Sequence, residues 1–419
     1  MPDEGPKYQP NQERAGWALC LSGGGFRAAL FHLGALRRLN ELGLLAKMRT
    51  ISSVSGGSVA NGLLARLWRD FTPDPGGSGT FTNFSTYEAK LREFCSSDIR
   101  TGPLLTERLN PRNWPTLLGD DHSATDLLAH VYEDRLVGNL RLKDLAAIRS
   151  GPGPSFVFNT SNLQTGVDCR LSADGVHDWK LGDAPAPDLL VAEAVAASSA
   201  FPIAFPPLVL KLDPKTYEGG ALEKSNDPQL ADLRRRVVLT DGGVYDNLGL
   251  EPAWKDHQVV LCSDGGKPFG IDVSPGEALP SRLLRVQDVI GNQALAVRKR
   301  WLVSSYENNV YRGGYWGIGT EIEGYKAHGP GYGQATLNGL VLNRLRAVRT
   351  DFDAFTEDEQ LVLMNHGWAL ADAALRTFMS DLLPKAIPAG KEPSPKLLFD
   401  PALAAEALKD SSARRLFGH

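Results

Sequence analysis

The feature that most constrains this chain is a pair of strand–turn–helix junctions placed one after the other near its start. Residues 18–21 (ALCL) are a short apolar run that ends in Ser22-Gly23-Gly24-Gly25, and helical periodicity follows over 26–45. Leu30, Leu33, Leu36 and Leu39 fall near one face, and Gly43 supplies a stop signal. Residues 50–54 (TISSV) read as a second strand, followed by a small-residue turn and a helix through Leu63, Leu64 and Trp68. Strand, turn and helix repeated in this order favour a parallel sheet with helices packed on it.

The runs at 156–160 (FVFNT), 237–240 (VVLT) and 259–262 (VVLC) are apolar, β-branched and closed by polar turn residues, the pattern of buried parallel strands. Residues 72–85 are rich in Gly, Pro, Ser and Thr and read as a loop. From there to about residue 130 helical pieces alternate with proline-rich breaks. Residues 361–378 predict an amphipathic helix, and 382–395 (LLPKAIPAGKEPSP) an extended linker into a weakly structured tail. The expected organisation is a flexible segment over 1–15, one domain over 16–380, and linker plus tail over 381–419.

With 42% hydrophobic and 22% charged residues among 419, the chain has ample apolar material for a large core. Its formal net charge of −4 argues against a general nucleic-acid binder. Cys20, Cys95, Cys169 and Cys262 are widely spaced, with no CxxC pair or Cys/His cluster, which fits reduced thiols in a cytosolic protein and gives no metal site. The N-terminal residues lack an apolar signal-like core, and the longest charge-free stretch, 194–210, is broken by Pro202, Pro206 and Pro207. The expectation is a soluble cytoplasmic protein that at most attaches peripherally to a membrane.

Ser53-Val54-Ser55-Gly56-Gly57 matches the G-x-S-x-G elbow except that Ser53 stands where a glycine is expected. A serine on a sharp strand-to-helix turn needs small neighbours, and the helix N-terminus favours the negative charge that develops there. Ser52, Ser53 and Ser58 are rivals; Ser55 leads because it sits at the strand end, whereas Ser58 lies inside the helix. A plain turn closing a strand–helix junction would look much the same.

The glycine turn at 23–25 exposes backbone N–H groups suited to an anion. A dinucleotide reading through Gly23, Gly25 and Ala28 requires an acidic residue at the end of the next strand, and that strand ends in serines. A P-loop fails for want of GK[ST]. An oxyanion site for Ser55, or a turn that only packs helix on sheet, are the other readings.

Asp241 ends the VVLT run and opens Asp241-Gly242-Gly243, a place from which a carboxylate could deprotonate a serine directly. Asp264-Gly265-Gly266 repeats the pattern after VVLC, so a simple Asp-Gly turn competes. His257, His328 and His366 follow Asp241 in the order of a Ser–Asp–His triad, but their surroundings suggest surface or capping roles, with His366 near a helix start. His32 packs or caps locally on the first helix.

Together these segments resemble the patatin-like phospholipases: SGGGFRAALFHLGALRRLNELGLL (22–45), SSVSGGSVANG (52–62) and TDGGVYDNLGLEP (240–252), with FNTSNLQTG (158–166) and AVAASSAFPIAFPP (194–207) between them. The segment 365–375 is similar too. The resemblance implies a three-layer α/β/α sandwich with a mainly parallel central sheet, and makes 16–380 the catalytic domain. It also implies a Ser–Asp dyad without histidine, with Ser55 as nucleophile, Asp241 as base, Gly23, Gly24 and Gly25 as oxyanion hole, and Arg27 in support. It demotes Asp264. The implied activity is hydrolysis of ester bonds in phospholipids or related acyl lipids at a membrane surface, through an acyl-enzyme and with no cofactor. Two other readings are a thioesterase or carboxylesterase acting on soluble substrates, and a catalytically silent module on the same fold. Residues 282–301 carry five basic residues and one acid among apolar ones; packing of their apolar face on the core is favoured over lying on an anionic membrane. The proline-bearing stretch 198–210 could line an acyl channel.

Overall fold

The computed structural model describes residues 13–100, 124–202, 205–276, 278–327, 339–385 and 387–413. Its centre is one ten-stranded sheet: β1 (Trp17–Leu21), β2 (Met48–Ser53), β3 (Ser155–Asn162), β4 (Val167–Ser172), β5 (Gly175–Asp178), β6 (Gly182–Ala184), β7 (Leu208–Lys211), β8 (Arg236–Asp241), β9 (Val259–Asp264) and β10 (Arg312–Gly317). Neighbours run β10-β9-β1-β2-β3-β4-β5-β6. From β10 to β3 every pairing is parallel, joined by helical crossovers; from β3 to β6 the chain turns back in an antiparallel meander.

The period-2 alternation buries both faces of the sheet. In β1, Leu19 and Leu21 enter the larger core with α1 (Gly25–Glu41) and α2 (Gly56–Leu67), whereas Ala18 and Cys20 enter a second core on the opposite face with Leu248, Trp254 and Leu302. Val259 and Leu261 of β9 split from Val260 and Cys262 in the same way. Helix, sheet and helix therefore form three layers, the fold class expected. All four cysteines are buried and unpaired, and no helix among the described residues is long and apolar enough to cross a membrane.

Strand β8 departs from the sequence reading. Residues 237–240 were expected in a parallel strand, but β8 runs antiparallel to both β3 and β7. An apolar run buried on both faces looks alike in either direction; orientation is set by the long connection before it.

The helix expected over 361–378 starts earlier, at Glu357, where Thr356 and Glu359 form a reciprocal capping box. It is buried almost all round, not amphipathic, because it lies between α1 and the C-terminal segment. A Cβ on Gly34 would come within 1.9 Å of the Met364 carbonyl, and one on Gly367 within 1.9 Å of the Phe31 carbonyl, so the two helices cross backbone to backbone. Arg38 of α1 is paired with Asp372 inside this contact. Beyond residue 380, where a weakly structured tail was expected, short helices Pro395–Phe399 and Pro401–Ala407 place Leu397, Leu398 and Ala404 in the main core.

The helix Leu279–Glu307 corrects another expectation. Its C-terminal half packs as anticipated, with Leu302 buried and Leu295 and Trp301 against the second core. Its N-terminal half does not: Leu279, Leu283, Val286 and Ile290 are exposed.

Candidate active site

The strand-end turns meet where β1, β2, β3 and β8 converge. At the end of β1 the chain passes through Gly24 (φ 143°) and Gly25 (φ 61°) into α1, a path L-residues rarely adopt. A Cβ at Gly25 would stand 2.5 Å from the Asp351 carbonyl oxygen, so glycine is required for space as well. The Gly23 N–H donates to the Asn247 carbonyl at 3.1 Å. That bond corrects the expectation that all three glycine N–H groups face an oxyanion: Gly23 is spent on holding the turn. No acceptor among the described residues takes the N–H groups of Gly24, Gly25 or Gly56. Gly56, absent from the sequence reading of the oxyanion site, packs directly against Gly25, where a Cβ would overlap the Gly25 carbonyl oxygen at 2.0 Å. Its position immediately after Ser55 was the available signal.

Arg27 is fully buried beneath this turn. Its Nε donates to Gly265 O at 3.0 Å and its Nη1 to Val348 O at 2.8 Å, while Nη2 has no partner among the described residues and lies beside Gly24. Burial lowers its pKa to about 10, opposed by Asp264, so it stays a cation at neutral pH.

Ser55 caps α2 with φ 51° and ψ −119°, one of the few non-glycine residues with positive φ among those described. Such a conformation costs on the order of 1–3 kcal/mol and persists only where neighbours enforce it. Here they do. The Ser55 N–H is held by the carbonyl (3.1 Å) and hydroxyl (3.0 Å) of Ser198, and Gly57 lies so near the Leu21 carbonyl that a Cβ would reach it at 2.4 Å.

Ser53 causes no distortion. It keeps a strand backbone, its hydroxyl donates to Val157 O at 3.1 Å, and it accepts from Ser58 Oγ (3.0 Å) and Asn61 Nδ2 (2.9 Å). The side chain in the glycine position is one member of a buried polar network under the elbow. Ser52, Ser53 and Ser58 are completely buried and engaged with these partners, whereas Ser55 keeps some exposure.

Asp241 meets Ser55 because β2 and β8 share one edge of β3 and point at each other. β2 ends with Ser53 opposite Phe158, and β8 ends with Asp241 opposite Thr160. Only Asn159 lies between them. Its Nδ2 donates to Ser52 Oγ and Ser53 O, both at 2.8 Å, and its carbonyl accepts from Ser198 Oγ at 2.7 Å. Asn159 and Ser198 thus position the site, though sequence reasoning named neither; both sit in the middle blocks, at 158–166 and 194–207. Residues 198–200 run past the site, with Ala200 O accepting from the Asp241 N–H at 3.0 Å. Ile203 and Ala204 of that stretch are outside the described residues.

The Asp241 carboxylate is buried and accepts from the Gly243 N–H at 2.7 Å, and the Ser55 side chain lies near enough to pull its pKa down. Burial raises its pKa from 3.8 to about 6, against the opposing pull of Gly243 and Ser55.

The other acid–base candidates are committed elsewhere. Asp264 ends β9, two strands from β2, bound to Lys299 (2.5 Å), Tyr315 (2.7 Å) and the Gly266 N–H (2.9 Å). His32 lies between Ser263 Oγ and Ser22 O, and His257 between Ala253 O and Thr50 Oγ1. His366, expected near a helix start, is in mid-helix and bonds Ile318 O; burial pulls both it and His32 down to about 4. These three are buried structural groups, not surface ones, and none bonds Ser55 or Asp241. His328 lies outside the described residues. No group of three His, Cys, Asp or Glu side chains that could hold a metal occurs among the described residues.

The patatin-like phospholipase family model matches residues 19–254, a span that contains every site residue above. No curated protein matches the sequence. Among solved structures, human GIVD cytosolic phospholipase A2 is 14% identical (TM-score 0.45, 94% of this chain and 63% of that one); its complex with methyl γ-linolenyl fluorophosphonate and terbium chloride is 16% identical (TM-score 0.47, 94% and 60%). VipD from Legionella pneumophila is 14% identical (TM-score 0.34, 88% and 68%). The chain spans less than two thirds of the cytosolic phospholipase chains.

Proposed function

Because this chain belongs to the patatin-like phospholipase family, we propose that it is a serine lipid acyl hydrolase working through a Ser55–Asp241 dyad. The observation that carries the reading is a strained, partly accessible serine beside a buried carboxylate whose pKa is raised to about 6. A carboxylate at its ordinary acidity is a weak base for a serine hydroxyl; desolvation brings Asp241 toward the working pH while leaving it mostly ionised at neutrality.

In the first step Asp241 takes the Ser55 proton as Oγ bonds to the ester carbonyl carbon. The carbonyl π electrons move to oxygen, and that oxyanion is received by the N–H groups of Gly24, Gly25 and Gly56. Collapse expels the alcohol or lysophospholipid, which takes the proton from Asp241, and leaves an acyl-Ser55. Water deprotonated by Asp241 then attacks the acyl carbonyl, and the fatty acid departs as Ser55 regains its proton. Gly23 shapes the turn, and Arg27 braces it with a fixed positive charge. Phe201, next to the Ala200 that bonds Asp241, and Val244, three residues after Asp241, are both exposed and suit the acyl chain. No step requires a cofactor. Four buried, unpaired thiols suit a reducing cytoplasm, with work done at a membrane surface.

A fluorophosphonate probe tests the reading. Wild-type chain is expected to be labelled on Ser55 and to hydrolyse phospholipid vesicles; Ser55→Ala should lose labelling and at least about a thousandfold of turnover while keeping its thermal midpoint. Full turnover in Ser55→Ala would overturn the assignment. A strong preference for short soluble esters over vesicles would make the enzyme a carboxylesterase instead.

A further inference from the structure

The helix Leu279–Glu307 has two apolar faces. One, through Leu295 and Leu302, packs on the second core. The other comprises Leu279, Leu283, Val286, Ile290 and Val297, spaced by three, four or seven residues and therefore aligned on the outward side. Each is more than half exposed. The loop before the helix adds Ile271 and Val273, at 94% and 93% exposure, and Phe269. Arg285 ties loop to helix, with its guanidinium over the Phe269 ring and Nη2 donating to Gly270 O at 2.9 Å. A continuous apolar surface of this kind is unusual on a protein that nothing covers.

Charge decides what covers it. Arg282 and Arg300 border the outward stripe, whereas Asp288, the one acid between 279 and 306, falls on the opposite face. A second copy pairing antiparallel through the same stripe would set the arginine rims together with no helix acid to answer them, and Asp272, the acid of the preceding loop, accepts from the Ser274 N–H at 3.0 Å. An anionic lipid surface accepts both features, apolar side chains between acyl chains and arginines among headgroup phosphates. The C-terminal half is fixed beside the dyad: Arg298 bonds Glu251 at 2.9 Å and Tyr245 O at 3.2 Å, and Tyr245 lies in the short helix Gly243–Asp246 that follows Asp241.

We propose that the N-terminal half of this helix, with the loop 268–276, is a membrane-docking element that inserts into an anionic lipid surface next to the Ser55–Asp241 site. Its purpose rests on the hydrolase reading; its binding does not.

Co-flotation of full-length protein with vesicles of phosphatidylcholine, alone or mixed with phosphatidylglycerol, tests it. Wild type should float with vesicles and favour the anionic ones. Leu283→Asp combined with Ile290→Asp should cut the bound fraction more than about tenfold, with an unchanged thermal midpoint and soluble-ester turnover within about twofold. Arg282→Glu combined with Arg300→Glu should abolish the anionic preference. Wild type that never floats, or flotation unaltered in the Leu283/Ile290 variant, overturns the proposal. So does a dimer in light scattering that this variant dissolves. Flotation that depends on Leu283 and Ile290 in a chain that cleaves no ester upholds the docking element and overturns the hydrolase reading alone.

Discussion

Asp241 and Asp264 are a matched pair in sequence and opposites in the fold. Each ends an apolar run, each is followed by two glycines, and each is buried at a strand end with a hydrogen bond from the second glycine's N–H. At Asp264 burial pushes the pKa up, but Lys299 and Tyr315 more than reverse it and the group ends below its ordinary value. At Asp241 no cation among the described residues answers the burial, the Gly243 N–H and the neighbouring Ser55 side chain pull the other way without reversing it, and the pKa stays raised. The motif places a carboxylate; the residues facing it set whether its pKa ends lowered, as at Asp264, or raised, as at Asp241.

The sharpest way to break this contrast is Asp241→Asn against Asp264→Asn. Asp241→Asn should lower hydrolysis by about a thousandfold or more, whereas Asp264→Asn should leave fluorophosphonate labelling within about tenfold. Stability should move in opposite directions. Removing Asp264 strands Lys299 and should destabilise by about 2 kcal/mol in denaturant unfolding, reduced from a fully buried pair because Lys299 is partly exposed. Asp241 binds its proton more tightly folded than unfolded. Its contribution to stability is therefore full below about pH 4 and lost as pH rises to about 6. Asn at 241 should accordingly stabilise by about 1–2 kcal/mol at neutral pH. Equal signs in the two variants would sink the comparison.

A finer test is the pH profile. With Asp241 as the proposed base, kcat/KM should rise with pH to a plateau with an acid limb near 6. A limb near 4 would mean that burial does not tune the base. The smallest effect is expected at the elbow. Ser53→Gly deletes one hydroxyl from a buried network and should destabilise by about 1 kcal/mol, with turnover within about threefold. A large gain in turnover would show that Ser53 had been holding the elbow out of shape.

Much of this was legible in the residues. The glycine turn, the elbow and the Asp-Gly-Gly turn are local devices: positive φ at Gly24 and Gly25, and the absence of room for a Cβ at Gly56 and Gly57, act on their own stretch of chain, so the pattern survives in the sequence. The parallel start of the sheet followed from the same junctions. What the sequence could not assign was everything that depends on a distant partner. The direction of β8, the Gly23 N–H given to Asn247, the support of Ser55 by Ser198 and Asn159, and the exposure of Leu283 and Ile290 all depend on segments far away in the chain. Burial on both faces erases strand direction from the pattern, and an apolar stripe reads the same whether it meets a core or solvent. The sequence alone determined that Ser55 and Asp241 each end a strand at a turn. Only the tertiary structure decided that they meet, because it lays β2 and β8 head to head along one edge of β3 and leaves Asp241, unlike Asp264, without a cation among the described residues.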